Sequence, residues 1–585
     1  MDARDEDARR LERTLLRACQ ATARWFESRK GEETMNDSLE PMRRAFVEVL
    51  LRRATDPQRM MAAGCALWER SARLWFTPGD SRAEPSARED RRFRDPAWVE
   101  NPFFDLVRRS YLMGADWLQQ VVADAPGVDE HTAHQARFYA RQLTEALSPS
   151  NIPALNPEVL RGARESGGRS LLSGLEALLT DLERGQGWPA PRMTDTRTFE
   201  LGKTLAITPG EVLHEDSLFQ LIQYRPTTPT VYRRPLLVVP PWINKYYILD
   251  LRPENSFIRW AVARGYTVFL LSWVNPDERH ADVDLEHYLL RGLLPALEAI
   301  TRATGEQQVS ALGYCIGGTL LSAALAWLAA RGDERIQNAT LLTTQVDFSE
   351  PGDLAAFIDE PQLERLEARM RERGYLDGAD MMSTFNLLRA KDLFWSFVVN
   401  NYLLGREPPP SDFLYWSSDP TRLPARAHAT YLRGMYLRNL LVQPGGLSFD
   451  GTPLDLGRVR IPLYVQACRE DHIAPFRSVY RGARSFSGPV RFVLAGSGHV
   501  AGVINPPAAK KYRHWVSSGP EKLAPDVDTW LAGAEERPGS WWTDWDVWLS
   551  GRSGEQVTAR LPGDGALRPI EPAPGRYVRQ RILPE

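Results

Sequence analysis

The length, composition and charge of the chain exclude several classes of protein. Its 585 residues are 43% hydrophobic and 25% charged, which is ordinary for a soluble globular protein and long enough for two or more domains. The formal net charge of −3 argues against a general nucleic-acid binder, because such proteins need an excess of Lys and Arg for phosphate contacts. The charged N-terminus lacks the apolar core of a signal peptide and no apolar run could span a bilayer, so we expect a cytoplasmic protein.

The first 195 residues are predicted to form an α-helical N-terminal region. Residues 77–94, rich in charged residues, Pro and Gly, predict a linker within this region, and helical patterns resume after it up to about residue 184. Before the linker, apolar residues at spacings of three and four, with Asp56 as an N-cap for the third helix, indicate three helices: Leu11–Phe26, Met42–Leu51 and Pro57–Phe76.

The remaining residues, 196–585, are predicted to form an α/β domain. Helical segments separate most of the strand-like runs, which is typical of a mostly parallel sheet covered on both faces. Between two of the runs, residues 349–460 show no such alternation and predict a helical lid inserted over the ends of the strands. The six apolar runs are Arg233–Ile243, Tyr266–Val274, Val309–Leu312, Ala339–Phe348, Ile461–Cys468 and Val490–Gly496.

Four scattered cysteines are present: Cys19, Cys65, Cys315 and Cys468. They form no CxxC pair and have no histidines nearby at the spacing of zinc ligands, so we expect free thiols in a reducing compartment and no metal site.

Cys315 is the candidate nucleophile. It lies in the sequence Gly-Tyr-Cys-Ile-Gly-Gly, between a short strand and an apolar helix, where α/β-hydrolases place a nucleophile in a strained turn. A lone cysteine is more commonly a small buried hydrophobic residue. The strand-turn-helix context and the closely spaced glycines favour the catalytic interpretation.

Asp471 and His499 follow Cys315 in the order that an α/β-hydrolase requires for its acid and its base. Each comes directly after a predicted strand, in "CREDHIAP" and "GSGHVAG" respectively. Taken singly, Asp471 could be a turn residue and His499 an ordinary loop histidine. Their joint order and their positions at strand ends predict a Cys-His-Asp triad on an α/β-hydrolase fold.

Backbone amides are expected to stabilise a negative oxygen beside Cys315. One is the N–H of Ile316, directly after the nucleophile, and the other belongs to the loop after an early strand, "PPWINKYY", where Ile243 and Asn244 are the candidates.

Large aromatic residues in this loop and in the predicted lid are candidates for a substrate channel, although such residues more commonly belong to a core. They are Trp242, Trp395, Tyr402 and Tyr415.

Several long motifs carry a resemblance to a known family. They are "NPEVLRGARESGGRSLLSGLEALLTDLERGQ", "PPWINKYYILDLRPENSFIRW", "SWVNPD", "GYCIGG", "FVVNNYLLG", "CREDHIAP", "GSGHVAGVINPP" and "SWWTDWDVWL". From about Asp95 to Trp548 the chain resembles the polyhydroxyalkanoate synthases of the single-chain class I and class II types. The resemblance implies that Cys315 is the acylated nucleophile, His499 the general base and Asp471 the third catalytic residue.

The resemblance also implies an activity: polymerisation of (R)-3-hydroxyacyl-CoA into polyester, through a cysteine thioester and with release of CoA. CoA is then part of the substrate, and no separate cofactor is expected. The resemblance further implies a cytoplasmic homodimer at the surface of polymer granules, with phasin-type proteins as candidate partners. The alternatives are a cysteine-type ester or lactone hydrolase and an inactive granule-associated protein. Monomer length, the CoA-binding residues, elongation on one or two subunits, and the role of residues 1–90 stay open.

Overall fold

The computed structural model describes residues 3–27, 30–76, 90–123, 125, 127–184, 191–517, 519 and 523–582. The chain divides into two compact units. The first comprises residues 1–195 and 384–410, and the second comprises residues 196–383 and 411–585.

The first unit is helical, as the sequence predicts. The third predicted helix begins at Pro57, and Oδ1 of Asp56 accepts the N–H of Arg59 at 3.1 Å, which caps the helix. Of the predicted linker, residues 77–89 lie outside the described residues, and Arg91–Phe93 form a 3₁₀ turn. The helices are α1 (Ala3–Glu27), α2 (Lys30–Ala54), α3 (Pro57–Phe76), α4 (Ala97–Glu100), α5 (Pro102–Ala123), α6 (Glu130–Ala146), α7 (Pro157–Glu165) and α8 (Arg169–Arg184).

The second unit is built around an eleven-stranded mixed sheet. Its strands lie in the order β15-β14-β13-β12-β7-β6-β4-β5-β2-β1-β17. The strands of the unit are β1 (Gly210–Glu215), β2 (Phe219–Tyr224), β3 (Thr230–Tyr232), β4 (Leu236–Val239), β5 (Val268–Trp273), β6 (Val309–Tyr314), β7 (Ile336–Leu342), β8 (Tyr375–Leu376), β9 (Leu423–Pro424), β10 (Ser448–Phe449), β11 (Thr452–Pro453), β12 (Leu463–Cys468), β13 (Val490–Ala495), β14 (Arg513–Val516), β15 (Glu535–Pro538), β16 (Gln556–Thr558) and β17 (Glu571–Pro572).

The six strands at the centre of this sheet are the six that the sequence predicts. From β13 to β5 they pair in parallel, and their residues are almost all buried because helices cover both faces. Antiparallel strands extend the sheet at both sides: β14 and β15 beyond β13, and β2, β1 and β17 beyond β5. This arrangement is the expected α/β-hydrolase fold.

The remaining helices of the chain are α9 (Phe257–Ala263), α10 (Leu285–Tyr288), α11 (Leu294–Thr304), α12 (Ile316–Arg331), α13 (Glu360–Arg373), α14 (Gly378–Leu388), α15 (Asp412–Ser417), α16 (Ala425–Tyr431), α17 (Phe476–Ala483), α18 (Val527–Ala532) and α19 (Trp542–Ser550). Helices α13 to α16 belong to the predicted insertion between β7 and β12, which also contains the hairpin of β10 with β11 and a short antiparallel pairing of β8 with β9. Along the described part of the chain, no helix is both long and apolar enough to cross a membrane.

The tryptophans of "SWWTDWDVWL" lie in the core of the second unit. Trp541, Trp542 and Trp545 are fully buried, and each indole N–H has an acceptor. Trp541 donates to the carbonyl of Gly502 and Trp542 to that of Val503, each at 2.8 Å. These bonds fix the chain just after the loop that carries His499.

Candidate active site

The loops at one edge of the sheet carry the residues that the sequence singles out. β4, β6, β12 and β13 run parallel, so the loops that follow their carboxyl ends lie along the same edge. Cys315 follows β6, Asp471 follows β12 and His499 follows β13. The predicted oxyanion loop follows β4.

Cys315 occupies a tight turn between β6 and α12. Its backbone has φ 53° and ψ −126°, a conformation that residues with a side chain rarely adopt. A Cβ atom on Gly317 would lie 2.5 Å from the carbonyl oxygen of Pro240, and one on Gly318 would lie 2.8 Å from Cβ of Thr344. Both positions therefore require glycine, because the helix start packs directly on its neighbours. The turn presents a half-buried thiol at the edge of the sheet.

Asp471 holds His499 in one orientation. Nδ1 of His499 lies 2.7 Å from Oδ2 of Asp471, and both side chains are almost completely buried. The other carboxylate oxygen of Asp471 accepts the backbone N–H groups of Ile473 and Ala474, at 2.8 and 2.9 Å. Cys315 is the other neighbour of His499 that favours the charged imidazole.

The position of His499 between a carboxylate and a thiol determines its protonation. Burial disfavours the imidazolium, but the charge of Asp471, and then that of Cys315, favour it and outweigh burial. The pKa of His499 is therefore raised well above its ordinary value. An imidazole with a raised pKa readily takes the proton of a neighbouring thiol.

Comparison with known proteins agrees with the fold. Residues 89–261 match the family model of the N-terminus of poly-beta-hydroxybutyrate polymerase (PhaC), and residues 252–506 match that of the alpha/beta hydrolase fold. The poly(3-hydroxyalkanoate) polymerase subunit PhaC of Rhizobium meliloti (strain 1021) is 48% identical over 573 residues, which cover 96% of this chain and 93% of the relative.

The chain belongs to the poly(3-hydroxyalkanoate) polymerase family. Two further relatives are the poly(3-hydroxyalkanoate) polymerase of Methylorubrum extorquens and the polymerase subunit PhaC of Cupriavidus necator. The first is 48% identical over 93% of this chain and 90% of its own length, and the second is 43% identical over 87% and 86%.

In this member of the polymerase family, the two candidate amides of the loop after β4 differ in their surroundings. The N–H of Asn244 donates to Oγ1 of Thr421 at 2.8 Å, so this amide is already engaged within the protein. Ile316 is the first residue of α12, where helical N–H groups have no acceptor within the helix. Ile243 lies between the engaged Asn244 and Trp242.

The structure divides the predicted channel residues of the polymerase between the two units. Trp242 is buried in the second unit, stacked on Tyr288 with ring centroids 4.4 Å apart, and Tyr415 is buried against Phe199 in the same unit. Trp395 and Tyr402 belong to the first unit. The hydroxyl of Tyr402 donates to Asp181 at 2.9 Å. A channel role for these four residues stays a prediction.

Two tyrosines of the insertion lie at the candidate site, and sequence reasoning missed them. Burial, the neighbouring tyrosine and the charge of Cys315 raise the pKa of Tyr431 well above its ordinary value. Burial and then the charges of Cys315 and Asp471 raise that of Tyr436. Both tyrosines therefore lie close enough to Cys315 for its charge to act on them. Nothing in the local pattern of α16 and the turn after it separates these tyrosines from the other aromatic residues of the insertion.

No group of three or more His, Cys, Asp or Glu side chains among the described residues is arranged to hold a metal ion.

Proposed function

We propose that the protein polymerises (R)-3-hydroxyacyl-CoA into a polyester, with release of CoA, through a thioester on Cys315. The observation that supports the proposal is the contact of His499 with Asp471, together with the influence of Cys315, which lies in a strained turn, on the same imidazole. Membership of the polymerase family supports the substrate class.

The first step is acyl transfer to the enzyme. His499 takes the proton from Sγ of Cys315, and the thiolate attacks the carbonyl carbon of the CoA thioester. The negative oxygen that forms is stabilised by the N–H of Ile316 and by an amide of the loop after β4. The bond to the CoA sulfur then breaks, the acyl group remains on Cys315, and the CoA thiolate leaves with the proton that His499 held.

The second step extends the chain. A 3-hydroxyl group of one acyl unit gives its proton to His499 and attacks the thioester carbonyl of a second acyl unit. An ester bond forms between the two units, and the thiol that carried the second unit is freed. Asp471 orients the imidazole and stabilises its charged form in both steps. A thioester on the enzyme is close in energy to the CoA thioester it came from, so the acyl group stays activated for the next hydroxyl.

The proposal is tested with purified protein, (R)-3-hydroxybutyryl-CoA and a longer-chain analogue, following free thiol and turbidity together. We expect CoA release with insoluble polyester, and loss of both in Cys315→Ala. Free hydroxyacid in amounts that match CoA release would instead identify a hydrolase. CoA release that persisted unchanged in Cys315→Ala would favour a granule-associated protein whose site is inactive. The ratio of the two substrate rates gives the monomer preference.

We also propose that the protein works as a homodimer at the surface of polyester granules, beside phasin-type proteins, and without a separate cofactor. The α1, α2 and α3 helices expose large apolar side chains that suit an apolar polymer surface, among them Leu16, Leu50, Met61 and Trp68. Light scattering of the purified chain gives its oligomeric state, and co-sedimentation with polymer particles tests granule association.

A further inference from the structure

One threonine of the insertion bridges two backbone groups of the loop after β4. The hydroxyl of Thr421 donates to the carbonyl of Trp242 and accepts the N–H of Asn244, each at 2.8 Å. A hydroxyl has one proton to donate, so Thr421 gives that proton to the Trp242 carbonyl and its oxygen is left to accept the N–H of Asn244. The Thr421 side chain is buried, and the bridge is therefore not shared with bulk water.

The bridge determines which way the peptide between Trp242 and Ile243 faces. In a trans peptide the C=O and the N–H point in opposite directions. Because the Trp242 carbonyl is turned towards Thr421, the N–H of Ile243 is turned away from it. The same bridge withdraws the Asn244 amide from the candidate site. Of the two amides predicted in this loop, Ile243 is then the one left to stabilise a negative oxygen.

A second set of contacts ties the same two segments together. Nζ of Lys245 lies 2.7 Å from Oδ1 of Asp419, and the other oxygen of Asp419 accepts the hydroxyl of Tyr247 at 3.0 Å. The indole N–H of Trp416 donates to the Lys245 carbonyl at 2.7 Å. We call Lys245, Asp419 and Thr421 together the loop clamp.

The loop clamp is buried and closely packed. The side chains of Lys245 and Asp419 are only 4% and 2% exposed, so loss of Asp419 would leave the buried ammonium of Lys245 without its counter-charge. A cavity bordered by Trp242, Asn244 and Thr421 measures about 10 Å³, roughly the space for one water molecule. The loop has little room to adopt another arrangement while the clamp is closed.

From these contacts we infer that Thr421 is a positioning residue, which fixes the Trp242–Ile243 peptide so that the Ile243 N–H serves as the second oxyanion donor. The inference rests on the proposed acylation of Cys315. If the bridge is removed, the peptide can rotate and present its carbonyl to the negative oxygen instead of its N–H. Outright loss of an oxyanion donor costs about 10²- to 10³-fold in rate, and a donor that is only released should cost less.

The test compares Thr421→Val, which keeps the shape but loses the hydroxyl, with Thr421→Ser, which keeps the hydroxyl. Two reactions of Cys315 are measured by mass spectrometry: acylation by (R)-3-hydroxybutyryl-CoA and alkylation by iodoacetamide. Alkylation needs the thiolate but forms no oxyanion. We expect Thr421→Val to slow acylation by roughly 10- to 100-fold through kcat rather than KM. Alkylation should stay within about twofold, and Thr421→Ser should restore acylation.

The control is Thr340→Val, which removes another buried threonine hydroxyl, one that accepts the indole N–H of Trp545 inside the sheet. It should leave both reactions of the folded protein unchanged. Acylation at the wild-type rate in Thr421→Val would overturn the inference, as would an equal fall in both reactions or no rescue by serine. If wild-type Cys315 is not acylated at all, the proposed function itself fails, and this result is distinct from the other three.

Discussion

At the scale of single residues, the two oxygens of Asp471 have separate roles. Oδ1 accepts the backbone N–H groups of Ile473 and Ala474, which fixes the loop, while Oδ2 faces Nδ1 of His499. One oxygen therefore fixes the carboxylate to its loop, and the other orients the imidazole.

Replacement of Asp471 by asparagine is expected to change the pH dependence of stability. Asp471 is the main charge that raises the pKa of His499 above its ordinary value of about 6.5. A group with a raised folded-state pKa stabilises the protein fully below its unfolded pKa, and this contribution is lost as pH rises through the folded value. The free energy of unfolding of the wild type should therefore exceed that of Asp471→Asn most below about pH 6.5, the ordinary pKa of histidine, and progressively less as the pH rises above it.

Urea denaturation of both proteins across that pH range gives this difference directly. A difference that grew with pH would show that His499 is held neutral, contrary to the prediction. The same variant should lose at least roughly 10²-fold in acylation rate, because the imidazole is no longer oriented; the equivalent change in a serine protease triad costs about 10⁴.

Replacement of Cys315 by serine is expected to abolish polymer formation. An oxygen ester on serine is more stable than a thioester, so any acyl group that it accepts would be a poor donor for the next hydroxyl. Intact-mass measurement should show slow acylation at most, with no turbidity. The control Cys65→Ser, at an exposed position in α3, should behave as the wild type. Turbidity at the wild-type rate in Cys315→Ser would contradict the proposed role of the thioester.

At the scale of secondary-structure elements, the turn between β6 and α12 depends on direct backbone contact. Gly318 packs on Thr344, and Gly313 packs on Gly318, since a Cβ on Gly313 would lie 2.5 Å from the Cα of Gly318. These close approaches let the helix start at the end of the strand without an intervening loop.

Gly318→Ala should therefore destabilise the protein by roughly 1–3 kcal/mol, the usual cost of overpacking a core, and should lower the reactivity of Cys315. Gly434→Ala is the matched control, since its added Cβ would have its nearest neighbour at 3.8 Å. Denaturant unfolding and iodoacetamide alkylation measure the two effects. Equal stability of the two variants would show that the turn is looser than its contacts indicate.

The sequence predicts the central elements well and the edges of the sheet poorly. The six parallel strands are predictable because strands buried on both faces are short apolar runs. β15 consists of Glu-Glu-Arg-Pro and has no such pattern; it is a strand only because it pairs with β14. The loop clamp was equally beyond sequence reasoning, because its ion pair joins residues 174 positions apart and no local pattern couples them. Asp471 and His499, by contrast, are predictable because each directly follows a predictable strand.

At the scale of the whole molecule, helices α1 to α3 expose several large apolar side chains. Trp68 is 74% exposed and Met61 70% exposed, values at which a large apolar side chain contributes little to the core. Their replacement therefore tests surface binding without a large effect on folding.

The double variant Met61→Glu with Trp68→Glu should bind polyester particles more weakly, because two apolar side chains of the proposed contact become charged. Acylation of Cys315 by soluble substrate should be unchanged. Val547→Glu is the control, since Val547 is 75% exposed on α19 of the other unit. Co-sedimentation with polymer particles measures the binding. Equal binding by all three proteins would remove α3 from the contact surface.

The burial of α12 limits how this site can diverge. Every residue from Ile316 to Leu328 is buried, so any substitution along this helix alters the stability of the core as well as the surroundings of the nucleophile. Substitutions along this helix are therefore selected for folding before they are selected for any effect on the reaction. We expect a change of monomer preference to arise more readily in the segment 425–437, where the charge of Cys315 acts on Tyr431 and Tyr436, and a mutational library for altered side-chain preference belongs there.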